Sequence, residues 1–231
     1  MKRTAINELY KWKDSSDRKP LIMLGARQVG KTWLMREFAR EAYKNSVYVN
    51  FEDNEILKEL FVNDFDIQRI VGAIQWSTGV TVDENTLIIL DEIQEAPRGI
   101  TALKYFAENA PQYHIIAAGS LLGIAMHHND SFPVGKVDFM HLYPLSFFEF
   151  LDAVGESRMV DLLQAKDWEM ITAFRTKFEE RLRQYYFVGG MPAVVSSFVG
   201  DRNPEKVRTI QRNIIEAYER DFSKHVPTIG N

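Results

Sequence analysis

The 231-residue chain has no cysteine. Disulfides, iron–sulfur clusters and cysteine-ligated zinc are thereby excluded, and a reducing compartment is a natural setting. Long apolar runs are also missing. The richest stretch, residues 115–126, is broken by Gly119, Ser120 and Gly123 and is too short to cross a bilayer. The segment Met1 to Glu8 has no apolar signal core. The expectation is a soluble, cytoplasmic protein with no membrane contact. Net charge is small, −4, with a sequence pI of about 5.8. That argues against a surface given over to coating nucleic acid. The pair His127-His128 with Asp130 has no third ligand in register, so no transition-metal site is expected. No Ser/His/Asp triad spacing, internal repeat or low-complexity tract stands out. What is present is 45% hydrophobic and 26% charged residues, the profile of a globular protein of one large or two small domains.

One stretch organises the rest. Gly25-Ala26-Arg27-Gln28-Val29-Gly30-Lys31-Thr32 matches G-x-x-x-x-G-K-[ST], the P-loop pattern. Leu21 to Leu24 before it is an apolar run of the kind that forms a buried parallel strand. After it Leu34, Met35, Phe38 and Ala42 recur at helical spacing. A strand-to-helix turn suits phosphate binding, because N–H groups at a helix N-terminus point outward and the helix dipole adds positive potential. The phosphate-contacting set runs from Gly25 to Trp33, with Lys31 reaching the β- and γ-phosphates and the Thr32 hydroxyl on Mg²⁺. Arg27 is expected to face solvent or a partner.

Further strands are expected at residues 47–51, 87–90, 114–118 and 140–143, and helices from Ile6 and over 56–61, 65–76, 100–109 and 121–126. Asn45 is expected to close the helix after the loop. From Phe147 on the pattern is helical only, with helices over 168–187 and 204–222 separated by Gly189-Gly190-Met191-Pro192. Alternating strands and helices followed by helices alone predict an α/β core over residues 1–150 and a helical subdomain over 151–231. The strand Leu87 to Leu90 ends in Asp91-Glu92. A carboxylate at the C-terminal edge of a buried strand is the usual second Mg²⁺ anchor of a P-loop site. Asp91 takes that role and Glu92 polarises the attacking water; the competing reading makes Asp91 a helix cap. Ser120, after the next strand, either senses the γ-phosphate or caps a helix. Candidates for an additional cation on the transferring group are Lys136, Arg181 and Arg183, each of which also reads as solvated surface charge.

These segments together resemble the prokaryotic AAA-type P-loop ATPases of the DExx-box kind, related to the signalling ATPases with nucleotide-switched domains. The resemblance rests on Arg18 to Leu21 with the loop, Val49-Asn50-Phe51-Glu52, Leu90 to Gln94, Ala118-Gly119-Ser120, residues 143–151 and residues 189–192. It implies a five-stranded parallel sheet of order 5-1-4-3-2, a helical lid, and ATP rather than GTP. Members often carry an arginine where this chain has Lys136, and a lysine lacks the planar guanidinium fork. Members usually continue into a winged-helix segment and a nuclease-like domain near where this sequence stops, so it resembles an N-terminal portion.

The leading expectation is an Mg-ATP-binding ATPase that releases ADP and phosphate as a conformational switch. The alternatives are a non-hydrolysing, nucleotide-dependent interaction module and a DNA-coupled ATPase; a small-molecule kinase ranks below them, because no acceptor motif is evident. Expected partners are ATP and either a second copy of the chain or another protein.

Overall fold

The computed structural model describes residues 1–119 and 135–225, with side chains through residue 220. Ser120 and the helix expected over 121–126 lie outside the described residues. The described part divides into two units.

The first unit comprises Thr4–Ala26 and Gly30–Leu142. It is built on five parallel strands, β1 (Leu21–Leu24), β2 (Asn45–Asn50), β3 (Thr86–Asp91), β4 (His114–Ala118) and β5 (Asp138–His141), in the order β2-β3-β4-β1-β5. This is the sheet of a P-loop fold, in the strand order expected. All six residues of β3 are buried, as a strand covered on both faces requires. Alternation sends Val47, Val49, Ile88, Leu90 and Ile115 to one side, where they share a core with Ile70 and Ile74 of α4 (Ile67–Thr78) and Leu103 and Phe106 of α5 (Gly99–Asn109). Met23, Leu87, Ile89 and Ile116 point the other way. On that side lie α1 (Ile6–Lys13) and α2 (Lys31–Ala42), with Leu9, Leu34, Met35 and Phe38 fully buried. The short helix α3 (Glu55–Lys58) follows β2, capped by Asn54, whose Oδ1 accepts from Leu57 N at 3.0 Å.

Strand boundaries differ from the pattern-based reading, most at β2 and β5. Asn45 opens β2, paired with Thr86, instead of closing α2, which ends at Ala42. The last strand is Asp138–His141, because backbone pairing to Leu21–Leu24 sets its ends.

An aromatic chain runs from Tyr10 through Phe38 and Tyr43 to His114, each neighbouring pair edge-to-face with centroids 5.2, 5.6 and 5.3 Å apart. The Tyr43 hydroxyl lies 2.6 Å from His114 Nδ1. Burial, reinforced by the charges of Arg18 and Lys13, lowers the His114 pKa from its ordinary 6.5 to about 4. The ring is therefore neutral, and one hydrogen is shared between the Tyr43 hydroxyl and Nδ1. Between pH 4 and 6.5 the unfolded chain binds the extra proton and the folded one does not, so stability rises with pH across that window. Urea titrations should show the stability advantage of wild type over His114→Gln shrinking as pH falls from 7 to about 4. A pH-independent difference would refute the assignment.

The second unit comprises Met1–Arg3, Arg27–Val29 and Tyr143–Asn231. Its helices are α6 (Phe147–Ala153), α7 (Ser157–Ala165), α8 (Trp168–Ala173), α9 (Arg175–Val188), α10 (Pro192–Asp201) and α11 (Pro204–His225). Its longest segment starts at Tyr143, and Leu145 and Phe150 belong to a core with Val188, Val194, Val195, Val207 and Ile214. The helix expected over 168–187 is broken at Phe174, which leaves helical geometry at φ −102° and ψ 19°. Pro192 starts a helix as well as ending a loop, since proline suits the first helical position. Gly190 is needed for close approach: Leu145 N donates to its carbonyl at 2.7 Å, and a Cβ there would fall on the Leu145 carbonyl oxygen. Ser146 and Glu149 form a capping box at the start of α6. Glu149 also meets Arg3 in a 3.2 Å ion pair in which both side chains are only 5% exposed.

Candidate functional site

The site grows from the end of β1. Leu24 is the last strand residue and Lys31 the first of α2. The chain turns between them through two left-handed residues, Gln28 at φ 64° and Gly30 at φ 98°. Gly30 is the N-cap of α2, a conformation glycine adopts without strain. The cap has no side-chain hydrogen bond and the first turn has no acidic residue. No protein carboxylate on α2 offsets the positive end of its dipole, which suits an anionic ligand.

Lys31 is 6% exposed, and its ammonium donates to the carbonyls of Gly25 at 2.7 Å and Ala26 at 3.0 Å. The lysine thus lies folded over the loop that precedes it. Thr32 points to the sheet. Its Oγ1 donates to Asp91 Oδ2 at 2.7 Å. Asp91 is the last residue of β3 and is 4% exposed. Its orientation is fixed further by the Tyr48 hydroxyl, which donates to Oδ2 at 2.9 Å, and by the Glu92 amide, which donates to Oδ1 at 3.1 Å. A buried carboxylate with three donors is satisfied and rotationally locked.

Tyr48 and its neighbour Arg36 were not singled out from the sequence. Tyr48 pairs in register with Ile89, so it shares a sheet face with Asp91, two residues on. Burial, then the Asp91 charge, raises the Tyr48 pKa to about 12, so it remains a donor. Arg36 stacks over the Tyr48 ring, its guanidinium carbon 3.9 Å from the centroid. The legible signal was alternation along β2, which puts Tyr48 and Asn50 on one face; register with β3 was not legible.

Glu92 is left-handed at φ 49°. A non-glycine residue there carries strain of order 1–3 kcal/mol, and such residues cluster at functional sites. Its Oε2 accepts from Gln94 Nε2 at 2.6 Å; Gln94 belongs to the motif Leu90 to Gln94 but was given no role from the sequence.

Lys136 is elsewhere. It precedes β5, whose Asp138 pairs with Leu21 at the beginning of β1, and Lys136 itself pairs with Glu108 at 3.1 Å. In a parallel sheet this is the N-terminal edge, whereas the phosphate loop leaves the C-terminal edge. Four residues of β1 separate the two edges, roughly 13 Å at strand rise. The expectation that Lys136 meets the transferring phosphoryl group is therefore corrected. In the second unit, Arg181 donates to Glu156 at 2.8 Å and Arg183 pairs with Glu179 at 3.8 Å. Both have structural partners. Arg27 and Gln28 are exposed and Trp33 is 44% exposed, while Val29 is buried.

The oxygen ligands that converge are the Thr32 hydroxyl and the Asp91 carboxylate. That donor set is hard and small, which fits Mg²⁺, an ion that takes one or two carboxylates and completes its shell with phosphate and water. Among the described residues no cluster of three or more His, Asp or Glu side chains forms a protein-only metal cage. No described helix is long and apolar enough to cross a membrane.

Residues 17–151 match the family model of the AAA domain. Residues 179–230 match a domain of unknown function. No curated protein matches the chain. Solved structures with similarity include C. elegans PCH-2, at 16% identity over 70% of this chain and 46% of that one, TM-score 0.39. Two Aeropyrum pernix proteins are also similar. ORC1, solved in complex with DNA, is 15% identical over 64% of this chain and 46% of its own, TM-score 0.43. ORC2, solved as ADPNP-ADP complexes, is 17% identical over 66% and 48%, TM-score 0.40. The chain thus spans about half the length of each.

Proposed function

Since the chain belongs to the AAA domain family, we propose that it binds Mg-ATP on the loop Gly25–Thr32 and hydrolyses it to ADP and phosphate as a conformational switch. The observation that carries this reading is the 2.7 Å bond between Thr32 Oγ1 and Asp91 Oδ2. It joins the end of the phosphate loop to the edge of β3, where a loop–carboxylate pair can share one cation.

The geometry supports a role for each residue. Backbone N–H groups from Gly25 to Trp33, at the α2 N-terminus, receive phosphate oxygens, and the Lys31 ammonium turns from the Gly25 and Ala26 carbonyls to the β- and γ-phosphates. Thr32 and Asp91 would hold Mg²⁺, which when bound neutralises phosphate charge. Tyr48 keeps Asp91 aimed at Thr32. Glu92 accepts a proton from the attacking water. The new P–O bond forms at the γ-phosphorus as the bond to the ADP oxygen breaks, giving phosphate and ADP. Helices of the second unit serve as the lid that the cycle moves. The setting we propose is the cytoplasm; no described helix is long and apolar enough to cross a membrane.

Lys136 at the opposite sheet edge favours one second reading, a module that holds nucleotide with little turnover until a partner supplies the missing cation.

Thermal melting tests the site. Mg-ATP at a hundred times its dissociation constant should stabilise wild type by about 2.7 kcal/mol, roughly 5–10 °C for a chain of this size. Lys31→Ala should lose that shift. Equal shifts in both proteins would refute the loop as the site. Phosphate release on the same samples separates an enzyme from a holding module.

A further inference from the structure

Arg27–Val29 are the middle of the phosphate loop, yet they belong to the second unit. Two side chains of that unit hold their carbonyls. Arg3 Nη1 donates to Val29 O at 3.0 Å, and the Tyr218 hydroxyl of α11 donates to Arg27 O at 2.6 Å. Arg3 is itself fixed: its Nε donates to Glu149 Oε1 at 3.2 Å and its Nη2 to Tyr143 O at 2.5 Å. Glu149 in turn accepts from Ser146 N at 2.9 Å through Oε2. The grip on Val29 therefore continues to the first turn of α6.

The chemical consequence lies in the peptide plane. A trans peptide is rigid, with its C=O and N–H pointing in opposite directions. Holding the Arg27 carbonyl thus aims the Gln28 N–H away from Tyr218. Holding the Val29 carbonyl aims the Gly30 N–H away from Arg3. These two amides flank the left-handed turn at Gln28 and lie among the donors that a phosphate loop offers to its anion.

We propose that Arg3 and Tyr218 are positioning residues of the phosphate loop: by holding the Val29 and Arg27 carbonyls, they preset the Gly30 and Gln28 amides for phosphate. This rests on the reading of Gly25–Thr32 as a phosphate loop. What loosens Tyr218 reduces the fraction of loops preset for binding and weakens apparent affinity by that fraction.

The test uses the full chain with Tyr218→Phe, which removes one hydroxyl, and Arg3→Lys, which keeps the charge but lacks the fork that serves three acceptors. Two readouts are taken: hydrogen exchange of a peptide covering residues 25–33 in nucleotide-free protein, and dissociation constants for Mg-ATP and Mg-ADP. Both variants should exchange the loop amides faster and bind both nucleotides about five-fold more weakly, the worth of one hydrogen bond. The melting temperature of Tyr218→Phe should fall by no more than about 4 °C, the worth of one hydrogen bond at this chain length. A wild type that binds nucleotide, with variants matching it in exchange and affinity, overturns the proposal. A wild type that binds neither nucleotide overturns the phosphate-loop reading and the proposal with it, whatever the exchange shows.

Discussion

Glu92→Gln should lower ATP turnover by about 10²–10⁴-fold, the usual contribution of a positioned general base, while leaving the dissociation constant for Mg-ATP within a few-fold of wild type. The substitution is nearly isosteric. Its side-chain oxygen can still accept from Gln94 Nε2, the bond now made at 2.6 Å. The left-handed backbone at φ 49° is inherited unchanged. Only the capacity to take a proton from water is removed. Loss of turnover with retained binding is therefore the signature of catalysis, whereas loss of both would mean that Glu92 shapes the site. Single-turnover phosphate release alongside equilibrium titration separates the two. Turnover within a few-fold of wild type would remove Glu92 from the mechanism and leave the nucleotide-holding module as the better account.

Glu149→Ala should destabilise the protein by about 3–5 kcal/mol, as breaking one side of a buried ion pair does. At this chain length that lowers the melting temperature by roughly 6–20 °C. The pair with Arg3 is 5% exposed on each side, so the abandoned guanidinium has little access to water. The same substitution deletes the capping box at Ser146 and leaves the Ser146 amide without its carboxylate acceptor. A useful contrast is Arg40→Ala, which breaks an exposed pair with Glu37 in which the arginine is 67% exposed; such solvent-screened pairs contribute little to stability. The double variant Arg3→Met with Glu149→Leu should be less damaging than Glu149→Ala alone, since no charge is then buried unpaired. Equal, small effects of Glu149→Ala and Arg40→Ala in urea titrations would show that the buried pair contributes no more than a surface one.

Several parts of this arrangement are local and were readable as such. The phosphate loop needs a buried strand, glycine where φ is positive, and an uncapped helix start, all within about twenty consecutive residues. The Asp91-Glu92 pair follows from the end of an apolar run. The helical character beyond Phe147 follows from spacing, although helix interruptions did not. The break at Phe174 left no proline or glycine signal, and Pro192 was readable as a stop before it was readable as a start.

The residues that went astray depend on pairings between distant segments. Lys136 sits two residues before a strand, and sequence cannot say which end of the sheet that is. The register Leu21↔Asp138 decides it, and places Lys136 opposite the phosphate loop. Tyr48 is one aromatic among nine tyrosines until the register Tyr48↔Ile89 brings its hydroxyl to Asp91. Arg3 reads as a charged residue near a chain end, but three acceptors from residues 29, 143 and 149 enclose it. By itself the sequence determined the α/β class, the glycine-bearing turn Gly25–Thr32 and the acidic pair, because each is written in contiguous residues whose local conformations the side chains dictate. Only the tertiary structure decided which charges reach the loop, which side chains orient Asp91, and that the middle of the loop is held by residues 3 and 218, because burial and strand register are set by the whole chain at once.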